Sequence, residues 1–158
     1  MACSGYWIQT EGAVALTAAT AKTILGAKAH ANSGLQVKGF LVAFDGVTSS
    51  AVPVLVELCY STWATNSPGT QSTSVTVRQS YGRVLTAGFT AAKSWNASNE
   101  PTTLTTQMEF LMAPDKGLVM WQFPLGQEPD CALAEGFAIR CTAPATVNVR
   151  ASMTLERI

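Results

Sequence analysis

Short runs of alternating or wholly apolar residues recur along this chain, punctuated by Gly, Pro, Asn and Asp, the pattern of strands rather than helices. The clearest alternation is near the C-terminus. There Val147, Val149, Ala151, Met153 and Leu155 take every second position, which puts them on one face of a strand. Residues 53–60 (PVLVELCY) are apolar on both faces except at Glu57. They predict a core strand, with Pro53 at its first position, where a missing N–H does least harm. Further extended segments are predicted over 13–17, 23–28, 35–44, 83–87, 102–112, 118–123, 136–142 and 146–157, with a short strand at 74–78. Asp45-Gly46 is a strong turn signal. A tight turn at 113–117 predicts a β-hairpin over 102–123, and Ala-Pro-Ala at 143–145 predicts a second over 136–157. Residues 61–82, rich in Ser, Thr, Asn and Gly, read as a long surface loop, and 124–130 as another. Helical candidates are weak: 13–29 is alanine-rich but interrupted by Thr and Gly26, and 87–94 offers one turn at most.

Roughly seven to nine short strands at this spacing predict an all-β fold, an antiparallel β-sandwich. Hairpins joined by long loops fit a Greek-key arrangement better than an up-and-down barrel, and a jelly-roll-like sandwich fits best. The expected organisation is an N-terminal arm over 1–12 and a single β-sandwich domain over 13–158, long enough to bury a core without disulfides or metals.

Composition sharpens the functional question. Apolar residues make up 47% of the chain and charged residues 13%, about half the usual charged share. A surface short of Lys, Glu, Arg and Asp is built of Thr, Ser, Ala, Asn and Gln, or is partly covered by a partner. Ten basic and ten acidic residues give a formal charge of zero and no basic stripe, so neither nucleic acid nor an anionic membrane is an expected partner. No apolar run reaches the length of a membrane helix, and the N-terminus lacks the basic and apolar regions of a signal peptide. The protein is therefore expected to be made and kept in a cytoplasm, or to leave it by cell lysis.

The chemistry-bearing residues do not assemble into a motif. Cys3, Cys59, Cys131 and Cys141 lack metal-ligand spacing, and the single histidine, His30, has no nearby cysteine. Buried reduced thiols are the expectation, with a Cys131–Cys141 disulfide as the sharper alternative. His30 lacks an evident carboxylate orienter and no G-x-S-x-G elbow occurs. Glu128 and Asp130 lie in a Pro-bounded loop, and Asp45, Asp115 and Asp130 are too scattered for a calcium loop. Glu57 is expected to point outward or toward a partner that supplies an arginine. No catalytic residue, cofactor site or metal site is assigned. Trp121, within Leu-Val-Met-Trp-Gln-Phe, reads as core. Trp63 and Trp95 stand in polar, loop-like contexts, and together with Tyr6 and Trp7 of the N-terminal arm they are the candidate interface residues. The same tryptophans could instead form a sugar-stacking platform.

Gly-Phe-Leu-Val-Ala-Phe-Asp-Gly-Val-Thr (39–48), then PVLVELCY, then Tyr-Gly-Arg after a Ser/Thr-rich loop, and finally Glu-Gly-Phe-Ala-Ile-Arg-Cys-Thr-Ala-Pro with Val-Asn-Val-Arg, resemble small virion proteins of tailed bacteriophages. The resemblance covers most of the chain, roughly 13–157, and is to capsid decoration (cement) proteins. It implies a jelly-roll-like domain, a homotrimer on the capsid exterior, and the major capsid protein as partner. It carries packing and turn motifs only, so no site residues are transferred. The alternative expectation is a jelly-roll carbohydrate-binding module of a phage tail or fibre.

Overall fold

The computed structural model describes residues 4–45, 52–82 and 84–158. Thirteen strands are found among them: β1 (Ser4–Gln9), β2 (Val14–Leu16), β3 (Ala21–Lys28), β4 (Leu35–Asp45), β5 (Val54–Thr62), β6 (Thr73–Ser74), β7 (Arg78–Tyr81), β8 (Thr90–Lys93), β9 (Thr103–Met112), β10 (Leu118–Gln122), β11 (Asp130–Cys131), β12 (Gly136–Thr142) and β13 (Val147–Arg157). One 3₁₀ turn, Pro114–Lys116, joins β9 to β10.

The strands form two antiparallel sheets packed face to face. Sheet A runs β10-β4-β13-β1-β7, with β11 added on β4 and β2 on β13, and sheet B runs β6-β8-β3-β12-β5-β9. Setting aside the short strands leaves β1-β13-β4-β10 facing β3-β12-β5-β9, the wrapped order of a jelly roll, so the expected β-sandwich is observed. Alternation explains the core. β13 buries Val147, Val149, Ala151, Met153 and Leu155 and turns Asn148 and Arg150 outward, while Ile24, Val56, Leu58 and Ile139 of sheet B are fully or almost fully buried with them. β3 and β12 read as nearly continuous apolar runs because they are buried on both faces.

Several expected elements differ. The two predicted hairpins do not form: β9 pairs with β5 in sheet B while β10 pairs with β4 in sheet A, and β12 pairs with β3 and β5 while β13 pairs with β1 and β4. Each tight turn carries the chain across the sandwich, because two strands with one apolar face each can bury it by facing as well as by pairing. The helical turn considered at 87–94 is replaced by β8, whose Ala91 and Ala92 are small enough to pack on both faces beside β3. The strand expected at 74–78 splits into β6 and β7 in different sheets. Residues 84–87 of the strand expected at 83–87 are irregular, with Val84 exposed. The expected arm is part of the sandwich from residue 4: β1 inserts between β13 and β7, burying Tyr6 and Ile8. Cys3, Gly46 of the predicted turn and residue 83 lie outside the described residues.

Candidate functional site

The four interface candidates divide. Trp63 and Trp95 are buried together on the outer face of sheet B, their rings 5.6 Å apart and inclined at 36°. They lie over Gly26, Ala92 and Ala138. The polar residues that suggested exposure supply the hydrogen bonds of the loops that carry these two indoles and form a lid on sheet B. Trp95 Nε1 donates to the Asn66 carbonyl at 2.9 Å, Asn66 Nδ2 donates to the Glu100 carbonyl at 2.9 Å, and Lys28 Nζ donates to Ser67 Oγ at 3.1 Å. The Ser/Thr/Asn segment is thus folded onto its own sheet. Tyr6 is also buried, edge-on to Phe89 at 5.3 Å. Trp7 alone of the four is exposed, at 50%. Trp121, expected in the core, stands opposite the buried Phe40 but is 46% exposed, because β10 is the last strand of sheet A among the described residues.

Glu57 finds its arginine within the chain. Cross-strand register sets it opposite Arg140, whose Nε and Nη2 donate to the two carboxylate oxygens at 2.8 and 2.9 Å, and Thr106 Oγ1 donates at 2.7 Å. The guanidinium holds the Glu57 carboxyl below its ordinary range. Nearby Glu100 accepts hydrogen bonds from the Thr23 backbone N–H and hydroxyl. Burial outweighs these bonds and pushes its carboxyl up. With its oxygens all occupied, this cluster serves to fix the lid and sheet B.

Several of the remaining titratable groups are similarly engaged. Glu128 accepts from Lys38 Nζ and the Gly126 N–H, both at 2.6 Å, and Lys38 also reaches Glu156 at 3.2 Å. His30 Nδ1 accepts from the Asn32 N–H at 3.2 Å in the turn after β3. Cys59, Cys131 and Cys141 are free buried thiols, and burial pushes Cys59 and Cys131 up to about 11. The disulfide alternative is not realised, since Cys131 lies on β11 of sheet A and Cys141 on β12 of sheet B. Among the described residues, no three His, Cys, Asp or Glu side chains are grouped to hold a metal ion. None of the described helices is long and apolar enough to cross a membrane.

Two surfaces stand open. One is the sandwich edge where β9 and β10 end the two sheets. Leu111, Leu118, Met120 and Leu125 are exposed along it, Leu125 at 93%. Met108, Phe110, Val119 and Phe123 behind them pack on the core. β9 pairs only with β5, and β10 only with β4, among the described residues. β10 carries no charge and β9 only Glu109, so the usual charged guards of an edge strand are nearly absent. The other surface is the outer face of sheet A. Three adjoining hollows of about 100, 240 and 310 Å³ share Trp7, Gln9, Leu41 and Ser152 between them. A larger cleft of about 490 Å³ lies beside the tryptophan lid, lined by Thr17, Lys22, Gln71 and Asn96. It gains no aromatic platform, because Trp95 is fully covered.

Sequence reasoning missed the β9/β10 edge. Its signal was present in Leu-Val-Met-Trp-Gln (118–122), an apolar strand without the charges that an edge normally carries. Comparison with family models, with curated proteins and with solved structures yields no match.

Proposed function

We propose that the chain is a structural protein that docks on another protein through the β9/β10 edge, and that it acts as a capsid decoration protein stabilising the major capsid shell of a tailed bacteriophage. The observation that carries the docking reading is the nearly uncharged edge with Leu111, Leu118, Met120 and Leu125 exposed beside two strand borders that are unpaired among the described residues. Leaving such an edge in water is a liability that proteins ordinarily guard against, and covering it removes both apolar area and open backbone groups. The capsid assignment rests on the resemblance of residues 39–48, 53–60, 81–83 and 135–150 to decoration proteins. A homotrimer on the capsid exterior would engage several shell subunits at once, so modest contacts at each edge would sum to near-permanent attachment. The reading assigns no reaction and no cofactor to the chain.

Co-sedimentation with undecorated capsids tests it. Burying a leucine is worth about 1.5–3 kcal/mol, so Leu118→Asp combined with Leu125→Asp is expected to weaken attachment at least about tenfold per engaged site. Both side chains are largely exposed, so the variant should unfold at the wild-type midpoint. Undiminished attachment of this variant would remove the edge from the docking surface.

A further inference from the structure

The exposed tryptophan of β1 stands on the outer face of sheet A, across β13 and β4 from the docking edge, with Met120 common to both surfaces. In sheet A, Trp7 of β1 stands opposite Thr154 of β13, which stands opposite Gly39 of β4, which stands opposite Gln122 of β10. The next rank is Gln9, Ser152, Leu41 and Met120. The strand order therefore lays down a floor of two hydroxyls, a glycine and one leucine, with Trp7 on one side and Met120 with Gln122 on the other. Trp7 also borders the hollow on its far side, beside Gln9, Gln79 and Ser80, so it stands as a ridge between two depressions.

The lining defines the ligand's chemistry. Indole faces attract apolar C–H surfaces, and hydroxyls and primary amides both donate and accept. Charge is neutralised around the groove: Lys38 is held by Glu128 and Glu156, Arg78 lies 3.7 Å from Glu11, and Arg150 is engaged within the chain. Among the described residues, the charged side chains that border the hollows are already engaged with partners in the chain, whereas an uncharged polyol with one C–H face matches both kinds of wall. The depressions are shallow and contiguous, which suits an extended chain of sugar rings better than one enclosed small molecule. The floor comes from β13 and β4, whose mutual pairing spans most of their length, so the groove is held rigid before any ligand arrives.

We propose that the outer face of sheet A is a binding groove for an uncharged oligosaccharide, with Trp7 as its stacking platform and Gln122 and Thr154 as flanking contacts. This moves the sugar-platform role from Trp63 and Trp95, which are buried, to Trp7. It does not rest on the docking reading and can succeed or fail independently of it.

The test is calorimetric titration of the intact protein with short cello-, malto-, manno- and chito-oligosaccharides, repeated on Trp7→Ala and on the near-isosteric Thr154→Val. Thermal unfolding of each variant establishes that it is folded. The expected result is saturable binding of at least one series, weakened about tenfold by Trp7→Ala and measurably by Thr154→Val, with capsid attachment of both variants unchanged. Silence across all four series, or binding that Trp7→Ala leaves intact, would overturn the proposal. Loss of capsid attachment in Trp7→Ala without any sugar binding would also overturn it and assign the ridge to a protein contact.

Discussion

At the scale of residues, the outer layer of sheet B is organised by two carboxylates driven in opposite directions. Glu57 is paired by Arg140, and removing one partner of such a buried pair strands the other charge, which costs about 3 kcal/mol or more. Glu57→Gln is therefore expected to lower unfolding free energy in urea by about that amount at neutral pH, an outcome that equilibrium denaturation reads directly. Glu100 behaves oppositely, because burial raises its carboxyl above the ordinary 4.5. Its proton is bound more tightly in the folded state, so stability from this group is lost as pH rises through the raised value. Glu57, held below 4.5, contributes stability that is present above that value and lost as pH falls through its depressed one. Wild-type protein should thus gain stability on mild acidification and then lose it at lower pH. Glu100→Gln should abolish the gain while retaining the loss, and a variant whose stability curve keeps the mild-acid rise would contradict this assignment. Glu57 was conspicuous in the sequence as the lone acid of PVLVELCY. Its partner was not, because Arg140 is eighty-three residues away and only strand register brings the two together. Trp63 and Trp95 were misplaced for a related reason: Asn66, Ser67 and Glu100 look solvated in the sequence, yet their polar groups bind the loops that cover the indoles.

At the scale of elements, the long apolar strands were legible and their partners were not. β3, β4, β5, β9, β10, β12 and β13 all fall on predicted segments, since period-2 burial is a local property of the chain. Pairing is decided by what the other strands leave free. Residues 113–117 and 143–145 therefore look like hairpin turns although both cross between sheets. The short strands β6, β7 and β8 carry few large apolar residues; β7 and β8 are strands because β1 and β3 present edges to them, and β6 because β8 does. Glycines mark where elements approach most closely. A Cβ on Gly136 would sit 1.9 Å from the Ala27 carbonyl oxygen, a backbone atom that cannot move aside. A Cβ on Gly26 would meet the two lid tryptophans at 3.0 and 3.1 Å. Gly26→Ala is expected to cost about 1–3 kcal/mol through displaced rings, and Gly136→Ala substantially more, because it pries β12 from β3. Thermal unfolding of the two variants checks the ranking; a Gly136→Ala midpoint at or above that of Gly26→Ala would refute the packing assigned to this end of sheet B.

At the scale of the whole molecule, the two sheets are asymmetric in a way composition alone foreshadowed. Sheet B is partly roofed by its own Ser/Thr/Asn-rich loops, which explains much of the polar content that carries no charge. Sheet A is open, and the β9/β10 border is open and apolar. A chain with 13% charged residues and no net charge has little electrostatic repulsion to keep such a border apart from other proteins. The β-sandwich class followed from turn spacing and alternation, while the candidate docking edge required the topology, since only the order of strands reveals which ones are last. The most direct measurement of the docking account is backbone hydrogen exchange of the protein free and bound to capsids. The account predicts new protection concentrated in residues 108–125, with the outer face of sheet A around Trp7 exchanging as before. Protection confined to other segments, with 108–125 unchanged, would contradict it.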